Sequence, residues 1–580
     1  MILQALVGHY EDLVARGEIA QPGWTRGKAA YALCLDDQGR LVQVASLLTE
    51  PAKGKKPVPR AMERLPAPVK RSVDVTANFL CDNSGYLLGI DGKGNPQRTR
   101  KCFAAGKALH ERLLTGVDSP AARAVLAFFQ TWEPEAAAAH PALLDAPEAV
   151  SSGANLVFRY DGAFVHEDPA VREAWQAAYD EAEDGPRMTC LVTGREAVAE
   201  AVHPAIRGVQ GAQSSGAALV SFNAPAFCSY GKEQNYNAPV GKYAAFAYTA
   251  ALNHLLADRE HVIRVGDTTV LCWSEGGEDA YPSVFGAFAF GARSGLYTER
   301  ELRETVQRLL RGSPVQWEGT LLDDKKPFYV LGLAPNAARL SVRFFLRDSF
   351  GGFLHHVQAH YDRLEIERPA YDKFETLPIW KVLGETVNQN TRDKAPVPGM
   401  SGELLRSVLL DAPYPATLLN GAVLRIRAEH AVTRGRAAIL KAYYLQNTHR
   451  DVPKEVLTVS LNPECTDVPY TLGRLFSVLE AVQSAANPRI NTTIVDRYFN
   501  TAASTPGRIF PVLLSLTQKH LRKLGPGGRV FYQKKITELL GILAQELPPR
   551  LNLPQQGAFQ LGYYHQTQKR YAKKEENGHV

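Results

Sequence analysis

Cys228, in the stretch SFNAPAFCSYGKEQNYNAPV (221–240), sits among amides, hydroxyls and aromatic rings. A thiol in that company raises nucleophilic catalysis, which requires a histidine base within reach. His254, in ALNHLL, is the nearest downstream candidate, but nothing in the spacing demands the pairing, and neither the papain nor the caspase signature surrounds the cysteine. An isolated cysteine usually packs as a small hydrophobe, so the expectation for Cys228 is a buried side chain. His356 and His360, in HHVQAH, stand at i, i+4 on one helical face, which is metal-ligand spacing. A zincin places glutamate after the first histidine; here Val357 and Gln358 follow, and no third ligand is evident. The glycine-rich GVQGAQSSGA (208–217) lacks both the GK[ST] of a P-loop and GxGxxG spacing, so it reads as a hydroxyl-rich connecting loop that could approach a phosphate. The expectation is therefore no catalytic residue, no bound metal and no cofactor.

Charge is more informative. The net +6 conceals two basic concentrations: 51–71 carries seven Lys/Arg against one Glu, and 518–580 carries eleven against four acids, leaving the remaining chain near −7. Basic patches on an acidic body point to a polyanion partner. Directly after the first patch, ANFLCDNSGYLLG (77–89) offers the amides of Asn78 and Asn83, able to read base edges, and Phe79, an apolar wedge candidate. The alternative is that Phe79 is core and Asn83 starts a turn. The prolines of PAKGKKPVPR predict an irregular loop from which the lysines project.

These residues need elements to hold them. With 580 residues the chain exceeds a single core, and its composition is that of an ordinary globular protein. No apolar run approaches a membrane span. Seven scattered cysteines without a CxxC pair argue for a reducing, cytoplasmic setting. The N-terminal MILQALVGHYEDLVARG places Leu3, Leu6, Val7, Tyr10, Leu13 and Val14 on one helical face and lacks the basic start of a signal peptide. ALCLDDQGRLVQV (32–44) and NLVFRYDGAFVH (155–166) read as hairpins, and SPAARAVLAFFQTW (119–132) as a helix with Ser119 as N-cap. GAALVSF, DTTVLCW, PFYVLGL and ARLSVRFFL are strand candidates, and ERELRETVQRLLRG (299–312) an amphipathic helix. Hairpins with separated helices predict an α+β body over 1–390. TRDKAPVPGMSG (391–402) has linker character, and the helical patterns that follow predict an all-α bundle over 403–580.

The opening MILQALVGHYEDL, NFLCDNSGYLLGID, SFNAPAFCSYGKEQNYNAPV with AFAYTAALNHLL, GDTTVLCW and the terminal FQLGYYHQ together resemble the type I-C CRISPR-associated large subunit, from residue 1 to about 570. The resemblance implies a non-catalytic, cytoplasmic subunit of the Cascade surveillance complex. It implies docking at the handle end of the guide crRNA, with recognition of the protospacer-adjacent motif (PAM) in target double-stranded DNA. Opening of that duplex and support of the displaced non-target strand would follow. The implied partners are the backbone and handle-binding subunits, small-subunit copies, which the helical C-terminal region resembles, and a recruited helicase–nuclease; no membrane is involved. Guide pairing carries sequence specificity in such complexes, so the protein needs a short duplex reader and backbone contacts.

The residues assigned to those contacts follow composition and adjacency. Lys53, Lys55, Lys56, Lys70 and Arg71 are expected on the DNA backbone, with Asn78, Phe79 and Asn83 at the bases. Lys232, Asn235, Tyr236 and Asn237 are expected to form a second nucleic-acid or partner surface, unless the asparagines lock their own loop. Arg522, Lys523, Arg529, Lys534, Lys535, Lys569 and Arg570 are expected to track the displaced strand. The rival classes are a Cys- or metal-dependent hydrolase or nuclease, and a stand-alone DNA-binding regulator.

Overall fold

The computed structural model describes residues 2–49, 57–69, 75–92, 95–181, 185–258, 261–291, 297–392, 394–447, 452–543 and 547–576. Two compact units form: Met1–Pro204 with Ser221–Ala251, and Ala205–Val220 with Leu252–Val580. The chain is α+β, as the sequence predicts.

In the first unit the Ile2–Ala15 helix buries Leu6, Val7, Tyr10 and Leu13, four of the six residues of its predicted face. The predicted 32–44 hairpin is β2 (Tyr31–Leu35) with β3 (Leu41–Ser46), antiparallel through Leu33 opposite Val44. The 155–166 hairpin is β7 (Leu156–Tyr160) with β8 (Ala163–Phe164). β2 and β7 pair in parallel, and β6 (Cys81–Asp82) closes the far side of β7, giving a mixed five-stranded sheet. The Pro120–Thr131 helix starts as predicted: Ser119 Oγ accepts from Ala122 N–H, and Pro120 occupies the first turn. It packs Phe128 and Phe129 against Phe158 of β7, the centre of an aromatic core.

A second sheet was not expected. The segment predicted to be an irregular loop, 51–60, instead enters a strand at its end: β5 (Val58–Pro66) pairs with β1 (Trp24–Ala29) over residues 60–66 and with β4 (Leu48–Thr49) over residues 58–59. Pro59 and Pro66 lie near the strand's two ends, where the loss of a donor is tolerated, and Met62 and Leu65 between them supply buried side chains.

In the second unit β11 (Val262–Val265), β12 (Thr268–Ser274), β15 (Pro327–Asn336) and β16 (Arg339–Ser349) form an antiparallel sheet in that order. Three predicted strands are therefore present. GAALVSF is not a strand: Ala217 and Ala218 make only single bridges, to Ile206 and Arg339. Gly216 holds a left-handed φ of +106°, and the chain passes between units after Val220, so no ladder extends. The Glu299–Leu310 helix begins with a full capping box from Thr298 and Glu301.

Every predicted late helix is present, from Met400–Leu409 to Pro526–Ile542. One further helix, Leu553–Glu576, packs along the Val468–Ala486 helix. The two approach so closely that a Cβ on Gly473 would stand 1.9 Å from Phe559 O, and one on Gly562 2.1 Å from Tyr470 O. One hydrophobic cluster runs from Ile263 of the sheet to Tyr564 of this last helix. The 391–402 segment lies inside this unit, with Met400 buried and Asp267 accepting from Ser401 Oγ (2.6 Å) and Gly399 N–H (3.2 Å).

Candidate nucleic-acid interface

Lys53, Lys55, Lys56, Lys70 and Arg71 lie outside the described residues. Between them, β5 carries Arg60 and Arg64. The guanidinium carbon of Arg60 stands 5.7 Å from the Phe164 ring centroid, and that of Arg159 stands 5.7 Å from the same centroid. Arg159 Nε–H donates to Gly162 O (2.8 Å), fixing its direction. Arg64 is half-buried, and burial together with nearby Arg172 pulls its pKa down. Arg172 itself lies 5.9 Å from the Trp24 ring. Aromatic faces hold guanidiniums whose like charges repel, and the resulting concentration of positive charge suits a phosphate backbone. Arg60 and Arg64 were countable in the basic run. Arg159 and Arg172 join them only through pairing and packing, and the i, i+2 alternation of Arg60, Met62 and Arg64 was the available signal.

The wedge expectation for Phe79 is corrected by its packing. Its ring is 1% exposed, stacked on Trp175 at 5.3 Å and 5.2 Å from His110. Insertion into DNA would require it to leave the core. Asn83 is the N-cap of the short Ser84–Leu87 helix, its Oδ1 accepting from Gly85 N–H (3.0 Å), and Asn78 Oδ1 accepts from Val69 N–H (3.0 Å). Both acceptors are thus committed to local backbone. Asn78 also fastens the end of the basic segment to the core-facing 77–89 stretch.

The 221–240 loop contains two 3-10 turns, Pro225–Phe227 and Gln234–Asn237. Asn237 holds it together: its Oδ1 accepts from Ser229 N–H (2.8 Å), and its Nδ2 donates to Gln234 O (2.9 Å) and Lys232 O (3.1 Å). Asn235 is buried, Tyr236 is half-buried and Lys232 is exposed. The ring presented to solvent is Tyr230, which is 99% exposed. Tyr230 and Gly231 both have positive φ, +55° and +68°, and Lys232 N–H donates to Ser229 O. That is a type I′ turn with a tyrosine at a position glycine or asparagine normally takes. Cys228 is half-buried rather than in a core, its Sγ lying 3.7 Å from Ala224 O.

At the end of the bundle the structure sorts the expected cations by occupation. Arg529 closes the Pro506–Leu521 helix, donating to Leu521 O (3.2 Å), Arg522 O (3.2 Å) and Leu524 O (3.4 Å). Lys523 Nζ donates to Asn487 Oδ1 (3.0 Å). Arg522 and Lys534 are exposed, and among the described residues neither enters an ion pair. The half-buried Lys535 places its ammonium 5.0 Å from the ring of Phe531, which is half exposed beside exposed Val530. Cations alternating with an open aromatic face are what non-specific strand binding uses. Lys569 and Arg570 are on the Leu553–Glu576 helix; Lys569 is exposed, and Arg570 lies 5.0 Å from the Tyr571 ring.

The histidine pair is engaged elsewhere. His356 Nδ1 pairs with Leu409 O (2.8 Å), and His360 Nδ1 with the Tyr414 hydroxyl (2.7 Å). Burial pushes the His360 pKa down to about 3. Among the described residues no three His, Cys, Asp or Glu side chains are grouped to hold a metal, and no helix is long and apolar enough to cross a membrane.

The family model described as CRISPR-associated protein (Cas_Csd1) matches residues 6–571. No curated protein matches the chain.

Proposed function

The chain belongs to the Csd1 family of CRISPR-associated proteins, the family its sequence resembles, and from that premise we propose that it is the non-catalytic large subunit of a type I-C Cascade complex. Its place is at the handle end of the guide crRNA, beside the backbone and handle-binding subunits. It recognises the PAM in duplex DNA, helps open the duplex, supports the displaced strand and recruits the helicase–nuclease. The family match from residue 6 to residue 571 is the observation that carries this reading.

Physical features support a division of labour between the units. The Arg60–Phe164–Arg159 cluster on β5 and β7–β8, next in sequence to the 51–56 lysines, suits duplex backbone. With Phe79 in the core, opening is driven by backbone contacts and guide pairing rather than by that ring. Tyr230, raised on its turn beside Lys232, suits a base face or a partner. Arg522, Lys534, Lys535 and Phe531 suit the displaced strand.

Reconstitution tests the reading. A complex assembled with and without this chain is given target duplexes carrying permanganate-reactive thymines. Reactivity of the displaced strand only when the chain is present, and its loss with Arg60→Ala/Arg159→Ala, is the expected result. Strand opening of equal rate and extent without the chain would overturn it.

A further inference from the structure

The first unit holds a cavity of about 660 Å³, the size of a small-ligand pocket. It is lined from the Ile2–Ala15 helix, the Pro169–Glu181 helix and the start of the Lys242–Ala257 helix. Its aromatic wall is anchored in the core. Tyr10 is buried, its hydroxyl donating to Ala20 O (3.0 Å), and its ring meets those of Tyr243 and Phe246 edge-on at 6.2 and 5.8 Å. Tyr243 and Phe246 carry the cluster toward solvent, Tyr243 being 42% exposed and Phe246 half-buried. Tyr179, 38% exposed, rests its ring on Gly23, where a Cβ would stand 2.9 Å from Tyr179 Cγ. Burial pushes the Tyr10 pKa up, and Tyr243, Tyr179 and Glu11 push it further, as their closeness requires.

Two carboxylates share this lining and both are open to solvent. Glu11 is exposed and accepts from the Tyr243 hydroxyl (3.2 Å); Glu200 is half-buried, its backbone fixed by donation from its N–H to Val240 O (2.9 Å). Among the described residues neither carboxylate enters an ion pair. The cation in the lining, Lys242, is half-buried and has a partner of its own. Two carboxylates against one engaged ammonium make the pocket unsuited to phosphate, and none of the nucleic-acid contacts above uses it. Burial and Glu11 push the Tyr243 hydroxyl up to about 12, so it stays protonated and its donation to a carboxylate enriches the ring in electrons. Electron-rich faces beside accessible carboxylates are the two attractions that hold an organic cation.

We propose that this pocket binds a guanidinium or alkylammonium group, its charge on Glu11 and Glu200 and its carbon stem against Tyr179, Tyr243 and Phe246. The same chemistry arrives in two forms: a free small amine or guanidine, and a lysine or arginine of a neighbouring protein. The pocket stands on its own geometry, so its failure leaves the DNA contacts of the proposed function untouched.

Calorimetric titration of the full chain with butylguanidinium and with butylurea, its uncharged isostere, tests it. The wild type should bind butylguanidinium roughly tenfold tighter than butylurea, the scale of one hydrogen bond to a charged group. Glu11→Gln/Glu200→Gln should erase that preference while leaving butylurea binding unchanged, since glutamine keeps the shape and an acceptor for Tyr243. Tyr179→Leu should weaken butylguanidinium about threefold, the scale of an exposed cation–π contact, and Tyr179→Phe should retain it. Melting curves establish that the variants are folded. Equal binding of the two probes, binding of neither at millimolar concentration, or a preference that the double variant keeps would overturn the pocket. Reconstitution with the Glu11→Gln/Glu200→Gln chain then assigns the source: loss of one subunit from the complex identifies a neighbouring protein's side chain, and full assembly identifies a free cation.

Discussion

Arg522→Ala/Lys534→Ala and Arg529→Ala all remove positive charge from the late helices, yet the structure assigns them different consequences. Arg522 and Lys534 are exposed and, among the described residues, outside any ion pair. Arg529 is held by three carbonyls at the end of the Pro506–Leu521 helix. Each phosphate contact on a single strand contributes about 0.7 to the slope of log K against log salt. Loss of two contacts should therefore flatten the slope by about 1.4. Between 50 and 200 mM salt, a fourfold change, the wild type should lose about sevenfold more affinity than the double variant. Arg529→Ala should leave the slope nearly unchanged and instead cost about 1 kcal/mol of stability, the scale of a helix-closing hydrogen-bond set. Phe531→Ala is a third case: affinity falls on the order of tenfold at every salt concentration, because a stacking face carries no counterion release. Fluorescence anisotropy with a labelled oligonucleotide at five salt concentrations reads slope and intercept together, with melting curves alongside. An unchanged slope for the double variant, or a flattened slope for Arg529→Ala with unchanged stability, would refute this sorting.

Gly562→Ala should destabilise by about 2–4 kcal/mol, since its Cβ would meet Tyr470 O at 2.1 Å across two backbones that cannot yield separately; Gly541→Ala, with nothing within 4 Å, should stabilise by about 0.5–1 kcal/mol. Urea titration separates them, and equal signs would contradict the close helix crossing. Phe79→Ala should cost about 3–5 kcal/mol as a core truncation and alter DNA opening only through folding; a stable variant with selective loss of duplex opening would return the ring to the DNA. Burial pushes His110, His166, His203 and His565 down to about 4 and His360 to about 3. Unfolding releases them to about 6.5, so the unfolded chain binds more protons below that pH. Stability should thus be at its plateau above about pH 6.5 and fall progressively toward pH 4; a melting temperature that is flat from pH 7 to pH 5 would contradict neutral buried histidines.

Elements with period and caps were legible without the structure: the Ser119 cap, the two hairpins, β12, β15, β16 and the seven late helices each follow from a local pattern. The Leu553–Glu576 helix was not legible as a core helix, because its buried face includes Gln556, Gln560, His565 and Gln566 and its closest packing uses glycine. Tyr470 OH paired with His565 Nδ1 (2.9 Å), and Ser477 Oγ with Thr567 Oγ1 (2.8 Å), are tertiary partners that no hydropathy pattern reveals. β5 was hidden for the opposite reason, since prolines and cations mask the two apolar residues that anchor it. Among site residues, composition located Lys534 and Lys535, but it could not separate Arg529, which closes a helix, from Arg522, which is exposed. It leaves Phe79 between wedge and core, because adjacency to lysines carries no information on which way a ring faces. The sequence does not distinguish Tyr230 from Tyr236, since the exposure of Tyr230 depends on a turn with two positive φ angles.

Affinity purification of the chain from its native cells tests its membership of a guided complex most directly. Co-purification of short RNAs sharing a common 5′ handle, in stoichiometric amount and together with further CRISPR-associated subunits, is the predicted result. Recovery of the chain free of RNA and of other CRISPR proteins, with metal-dependent DNA cleavage by the chain alone, would contradict it.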